Sequence, residues 1–206
     1  MDAPKKVFRA REQESERVQE LRAKFADWQQ RVDAGRLFCL DEAGSTVAMT
    51  RERGWAPRGE PVQDIRPRNR GSVVTMIAAL TLDGLTAMMT IEGGTDADVF
   101  ETYIEHFLLP ELRPGDIVVL DNLGAHRTQR VRELVESVGA RLWFTPPYSP
   151  EFNPIELAWA KLKAFLRTAK ARSRKALDNA IAFAMNLITA DDARAWYRHC
   201  GFNHGT

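Results

Sequence analysis

Apolar residues first recur over positions 12–30, where Val18, Leu21, Phe25 and Trp28 stand three or four apart among charged residues. That spacing puts them on one stripe of a helix and predicts an amphipathic N-terminal arm. The period then shortens. Residues 36–40 form an apolar run ending at Asp41, and Gly44-Ser45 reads as a turn into a second candidate strand over 47–50. An Arg-rich stretch over 51–70, punctuated by Pro and Gly, reads as loop. Two more apolar runs, 72–80 and 85–91, flank Asp83-Gly84, a pair that supplies the positive φ of a hairpin turn.

Beyond residue 91 the pattern alternates: helix 96–109, strand 117–120, helix 128–138, strand 141–144, then helices 154–171 and 174–189. Strands separated by helices require crossover connections and parallel pairing. The order β-β-β-α-β-α-β-α predicts an α/β fold, a mixed five-stranded sheet flanked by helices. Trp143, Phe144 and Trp159 fall on strand and helix faces where core packing is the default.

With 206 residues, 44% of them hydrophobic, the chain can bury one full core. We therefore expect one domain over 36–200 behind a helical arm or linker over 1–35. Its 29 basic and 28 acidic residues leave a net charge of +1, so any attraction to nucleic acid must come from local patches. Cys39 and Cys200 lack the Cys-x-x-Cys spacing of a redox or metal motif and fit reduced thiols in the cytoplasm. No apolar stretch approaches the ~18 residues of a membrane span, and the charged N-terminus lacks the apolar segment of an export signal.

The chemistry concentrates in three carboxylates. Asp41 ends the first strand, Asp121 follows strand 117–120, and Glu156 lies in the first turn of helix 154–171. If those two strands are neighbours, both aspartates reach the carboxyl edge of the sheet, where open α/β sheets bind ligands. Three hard oxygen donors suit Mg²⁺, which keeps waters and borrows substrate phosphate oxygens. Two such ions roughly 4 Å apart can activate a hydroxyl on one side of a phosphate and stabilise the leaving oxygen on the other.

Each acid also has an ordinary structural alternative. Asp41 can cap a strand-to-turn transition, and Asp121-Asn122 can form an Asx-turn. A nucleotide site at Asp121 lacks its Gly-Lys phosphate loop. With Asn153 as N-cap and Pro154 at the first helical position, Glu156 can complete a capping box. Against that, Glu156 shares the outward line of its helix with Lys163 and Arg167, opposite an apolar stripe of Ile155, Ala158, Trp159, Leu162, Phe165 and Leu166.

The strings FCLDEAG, VVLDNLGAH and TPPYSPEFNPIELAWAKLK resemble, in order and wording, the three acidic motifs of the DDE transposase superfamily, in its insertion-sequence branch related to mariner elements. The 34 residues between Asp121 and Glu156, positions 122 to 155, match that branch, and the likeness runs from about Leu37 to Arg198. The resemblance implies a ribonuclease H-like fold in which Asp41, Asp121 and Glu156 ligate two Mg²⁺ ions, with Mn²⁺ able to substitute. It further implies cleavage at the ends of a mobile element and strand transfer into target DNA, at TA. Double-stranded DNA, a second copy on that DNA and an upstream helix-turn-helix polypeptide are the expected partners, in a bacterial cytoplasm at the nucleoid. About 35 residues precede Leu37, too few for the paired recognition modules of such relatives.

Phosphate contacts are expected from Lys161, Lys163, Arg167 and Lys170, on a run without acids from 157 to 177, and from Arg53 and Arg58 in the long loop. A solvated helix face is the plainer account of the first group. Tyr148, in the Pro-rich string ahead of Glu156, is a further candidate for touching DNA. His126 either approaches the scissile phosphate or caps the next helix. Two other functions stay open at this point: a stand-alone ribonuclease H-like nuclease or resolvase, and a non-catalytic DNA-binding remnant that represses transposition.

Overall fold

The computed structural model describes residues 11–203, so the first ten residues of the predicted arm lie outside it. Five strands, β1 (Leu37–Ser45), β2 (Val74–Thr81), β3 (Gly84–Glu92), β4 (Ile117–Leu120) and β5 (Arg141–Phe144), form one mixed sheet in the order β3-β2-β1-β4-β5. β1 runs antiparallel to β2 and parallel to β4, and β4 runs parallel to β5. Helices α1 (Glu16–Arg31), α2 (Ala97–Tyr103), α3 (Gln129–Ser137), α4 (Ile155–Ala169), α5 (Arg174–Met185) and α6 (Ala190–His199) cover both faces.

Two-residue alternation sorts the central strands into two cores. Met76, Ala78 and Leu80 of β2 join Leu37, Cys39 and Ala43 of β1 against α1, α4, α5 and α6. Ile77, Ala79 and Leu40 point the other way, into Phe100, Tyr103 and Ile104 and the α3 residues Val131 and Val135. A strand buried on both faces reads as the continuous apolar run seen in VTMIAAL. Cys39 and Cys200 are free and buried. Among the described residues no helix is long and apolar enough to cross a membrane.

Three sequence expectations need correction. First, β1 does not stop at Asp41. It continues through the predicted turn to Ser45 because β2 pairs with it as far as Ser45↔Val74, and Ser45 Oγ donates to the Val74 carbonyl at 3.2 Å. Residues 47–50 consequently form no strand and open the long exposed loop. Second, the predicted helix 174–189 ends at Met185, and α6 begins anew behind a capping box in which the Thr189 side chain and Asp192 exchange bonds with each other's backbone. Third, Trp143 is 41% exposed and stacks on Trp28 of α1 at 4.7 Å, outside the core, whereas Trp159 is buried as expected. The hairpin expectation holds: Gly84 has φ +124° and opens β3.

Candidate active site

The parallel register of β1 on β4 runs Leu37↔Ile117, Phe38↔Val118, Cys39↔Val119. Carried two residues further, the same offset sets Asp41 level with Asp121. β4 ends at Leu120, so Asp121 stands just past a strand end, while Asp41 lies inside β1 where that strand outruns its parallel neighbour. Glu156 enters from α4, whose N-terminus is docked there by Asn153: its Nδ2 donates to the Leu40 carbonyl at 3.1 Å, next to Asp41. The N-cap of α4 is Pro154 and makes no side-chain cap bond, so the capping-box alternative for Glu156 is not realised.

All three carboxylates line one cavity of about 530 Å³, with Asn122, Leu123, Asn153 and the loop residues 145–150 as its other walls. Asp41 is pushed up to about 7, first by burial and then by the negative charge of Glu156, although Trp159 Nε1 donates to its Oδ2 at 3.1 Å. Glu156 is raised as well, by burial and by Asp121, with Lys163 opposing. Burial is the leading cause at both. Asp121 differs: burial works to raise it, but bonds from His126 and the Leu123 N–H hold it below the usual range. Among the described residues no group of three or more His, Cys, Asp or Glu side chains is arranged to hold a metal ion.

His126 is the residue whose role the sequence understated. It is 2% exposed, and Thr128, not His126, caps α3 by accepting from the Val131 N–H. Its Nδ1 lies 2.6 Å from Asp121 Oδ1 and its Nε2 3.2 Å from Glu42 Oε1, with the ring 4.1 Å from that of Phe100. Ionised carboxylates only accept, so two such partners favour the form in which both ring nitrogens donate, the imidazolium. Burial opposes that charge, but the two carboxylates overcome it and push the ring up to about 9. The signal available in the sequence was the His five positions after Asp121.

The other candidates divide. Tyr148 is 53% exposed on the cavity wall with φ +56°, a conformation that costs a non-glycine residue on the order of 1 kcal/mol. The charge of Lys163 acts on Glu156, and Arg167 lies further along α4 beside Arg51, Arg53 and Phe165 in a surface groove. Lys161 is bound instead to Asp192 at 2.5 Å and Lys170 to both oxygens of Asp64, so each already has an internal counter-ion. Arg58 stands exposed on a turn of the long loop.

The sequence profile of the family described as DDE superfamily endonuclease matches residues 36–178. Among solved structures the chain is similar to the Mos1 transposase paired-end complex with left transposon end, with a TM-score of 0.78 and 16% identity over 98% of this chain and 64% of that one. The Mos1 strand transfer complex gives 0.74 and 18%, with the same coverage. The catalytic domain of Mos1 mariner transposase gives 0.61 and 12%, over 97% of this chain and 92% of that one. The chain thus spans a little under two thirds of the full transposase chains and nearly all of the isolated catalytic domain, and its fold is ribonuclease H-like. No curated protein sequence matches it. The chain belongs to the DDE superfamily of endonucleases.

Proposed function

We propose that this chain is the catalytic domain of a DNA transposase, and that Asp41, Asp121 and Glu156 hold two Mg²⁺ ions and serve cleavage at element ends and strand transfer into target DNA at TA. The observation that carries this reading is the convergence of three carboxylates, from β1, the end of β4 and α4, on one cavity. The donor set suits a hard cation: three carboxylates lining one cavity, all of them oxygen donors. Solved Mos1 paired-end complexes with Mn and with Mg support divalent metal use, with Mn²⁺ as substitute.

When bound, such ions supply Lewis acidity to the phosphate and lower the pKa of the attacking water or 3′-hydroxyl. The protein's own part is positioning. Trp159 fixes one Asp41 oxygen, His126 fixes one Asp121 oxygen, and the Asn153 bond to Leu40 sets the start of α4 and with it Glu156. Tyr148 lies on the wall where a DNA strand enters, and Lys163 and Arg167 continue outward as phosphate contacts, with Arg53 and Arg58 contributing from the long loop. Residues 36–200 form the catalytic unit behind the 1–35 arm, acting as a homodimer on element-end and target DNA, with an upstream helix-turn-helix polypeptide reading the ends, at the bacterial nucleoid.

Mg²⁺ added to the chain with labelled element-end duplexes and a TA-containing target is expected to give nicked ends and then joined products. Cutting without joining would reduce the chain to a nuclease, and neither product would leave a non-catalytic binder. The DNA surface has its own test. Charge reversal at Lys163 and Arg167 is expected to weaken binding to all duplexes alike and to flatten the plot of log affinity against log salt by about 0.9 per lost phosphate contact. An unchanged slope removes these two residues from the interface.

A further inference from the structure

Helix α1 precedes the family-matched segment, yet it grips the wall of the active-site cavity. The Arg22 guanidinium donates to Ser149 Oγ at 2.6 Å, pairs with Glu151 at 2.7 Å and lies over the Phe152 ring at 4.9 Å. Ser149 is 3% exposed, and its hydroxyl donates in turn to the Pro147 carbonyl at 3.0 Å. One turn further along α1, Phe25 packs on Phe152 at 5.2 Å, and before the helix Gln13 donates to the Tyr148 carbonyl. The Pro-rich loop is therefore clamped from outside by one helix, while its inner side carries Tyr148 in a left-handed conformation and its far end starts the helix of Glu156.

We propose that Arg22 is a positioning residue of the active site, fixing the 145–153 loop so that Tyr148 and Glu156 face Asp41 and Asp121. This rests on the cavity being the site of phosphodiester cleavage. A planar fork that serves a hydroxyl and a carboxylate while stacking on an aromatic ring is work that arginine does and lysine does only in part. The arm thus acts on the 36–200 catalytic unit from outside it, and a shift of the loop by about 1 Å is enough to cost on the order of 100-fold in rate.

The test uses the full chain with Arg22→Met, which keeps an unbranched stem over Phe152 and removes both polar bonds. The amides of Phe152 and Asn153, bonded to the Ser149 and Pro150 carbonyls, report the loop by hydrogen exchange. Arg22→Met is expected to raise their exchange at least about tenfold without changing the β-sheet amides. It should lower kcat for cleavage about 10- to 100-fold, leave KM for DNA within about twofold, and be partly rescued by Arg22→Lys. Parent-level exchange and kcat in Arg22→Met would overturn the proposal, as would faster exchange throughout the chain, which marks a general loss of stability. Selective loosening of the loop in a chain whose parent does not cleave would uphold the clamp and remove the nuclease reading instead.

Discussion

Asp121→Asn is expected to abolish Mg²⁺-dependent cleavage while the fold survives. The amide keeps the size and one acceptor oxygen, so the bond from the Leu123 N–H can persist. It removes the negative charge that a hard cation requires. Loss of a metal-binding charge at a phosphoryl centre removes several kcal/mol of transition-state stabilisation, and about 5 kcal/mol corresponds to nearly four decades in rate. Single-turnover cleavage of an element-end duplex at saturating Mg²⁺ measures the loss, and far-ultraviolet circular dichroism with a thermal scan checks the fold. A variant that cleaves within tenfold of the parent would remove Asp121 from the metal site.

Why the triad was legible in the sequence, and parts of its setting were not, follows from where each kind of information resides. Asp121 and Glu156 stand at element boundaries that local signals mark well: an apolar run followed by Asp-Asn, and Asn-Pro ahead of a strong helical stripe. A mixed five-stranded sheet was also legible from local periodicity, because the pairing strands carry apolar runs, whereas the order in which they lie side by side was not. Gly44-Ser45 misled because its turn chemistry is local while the pairing that overrides it comes from β2, some thirty residues away. Gly44 has no side chain to oppose the strand, and a Cβ there would meet Val73 Cγ1 at 3.3 Å. α6 was legible in principle, since Thr189 and Asp192 have capping-box spacing, but the apolar stripe of α5 runs into it without a Pro or Gly break.

Side-chain partners across the fold left no trace of this kind. Nothing in the spacing of Trp28 and Trp143 indicates that they stack, and nothing near Arg22 points to Ser149, 127 residues away. The basic run after Glu156 looked uniform as a string. In three dimensions it separates into Lys161 and Lys170, held by Asp192 and Asp64, and Lys163, whose charge acts on Glu156. Sequence composition locates charge, but only geometry shows which charges are already compensated.

Removal of His126 is the second large effect expected. Its ring bridges Asp121 and Glu42, so His126→Ala leaves two carboxylates facing an unfilled gap and Asp121 held by the Leu123 N–H without its imidazole partner. Groups that orient a metal ligand from behind typically contribute 10- to 100-fold in metal affinity or activity, and a loss of about that size is expected in the Mg²⁺ half-saturation for cleavage. His126→Asn sets an N–H near the place of Nδ1 and should recover part of it by holding Asp121, without a bond to Glu42. The metal-free protein supplies an independent readout. His126 is raised from an ordinary 6.5 to about 9, so the stability it confers is complete below about 6.5 and is lost as pH rises through about 9. Chemical denaturation of the chelated parent should therefore show unfolding free energy declining across that window, and neither His126→Ala nor His126→Asn should show that decline. If His126→Ala titrates with the parent's Mg²⁺ half-saturation and keeps the parent's pH slope, the imidazolium bridge has no part in holding the site.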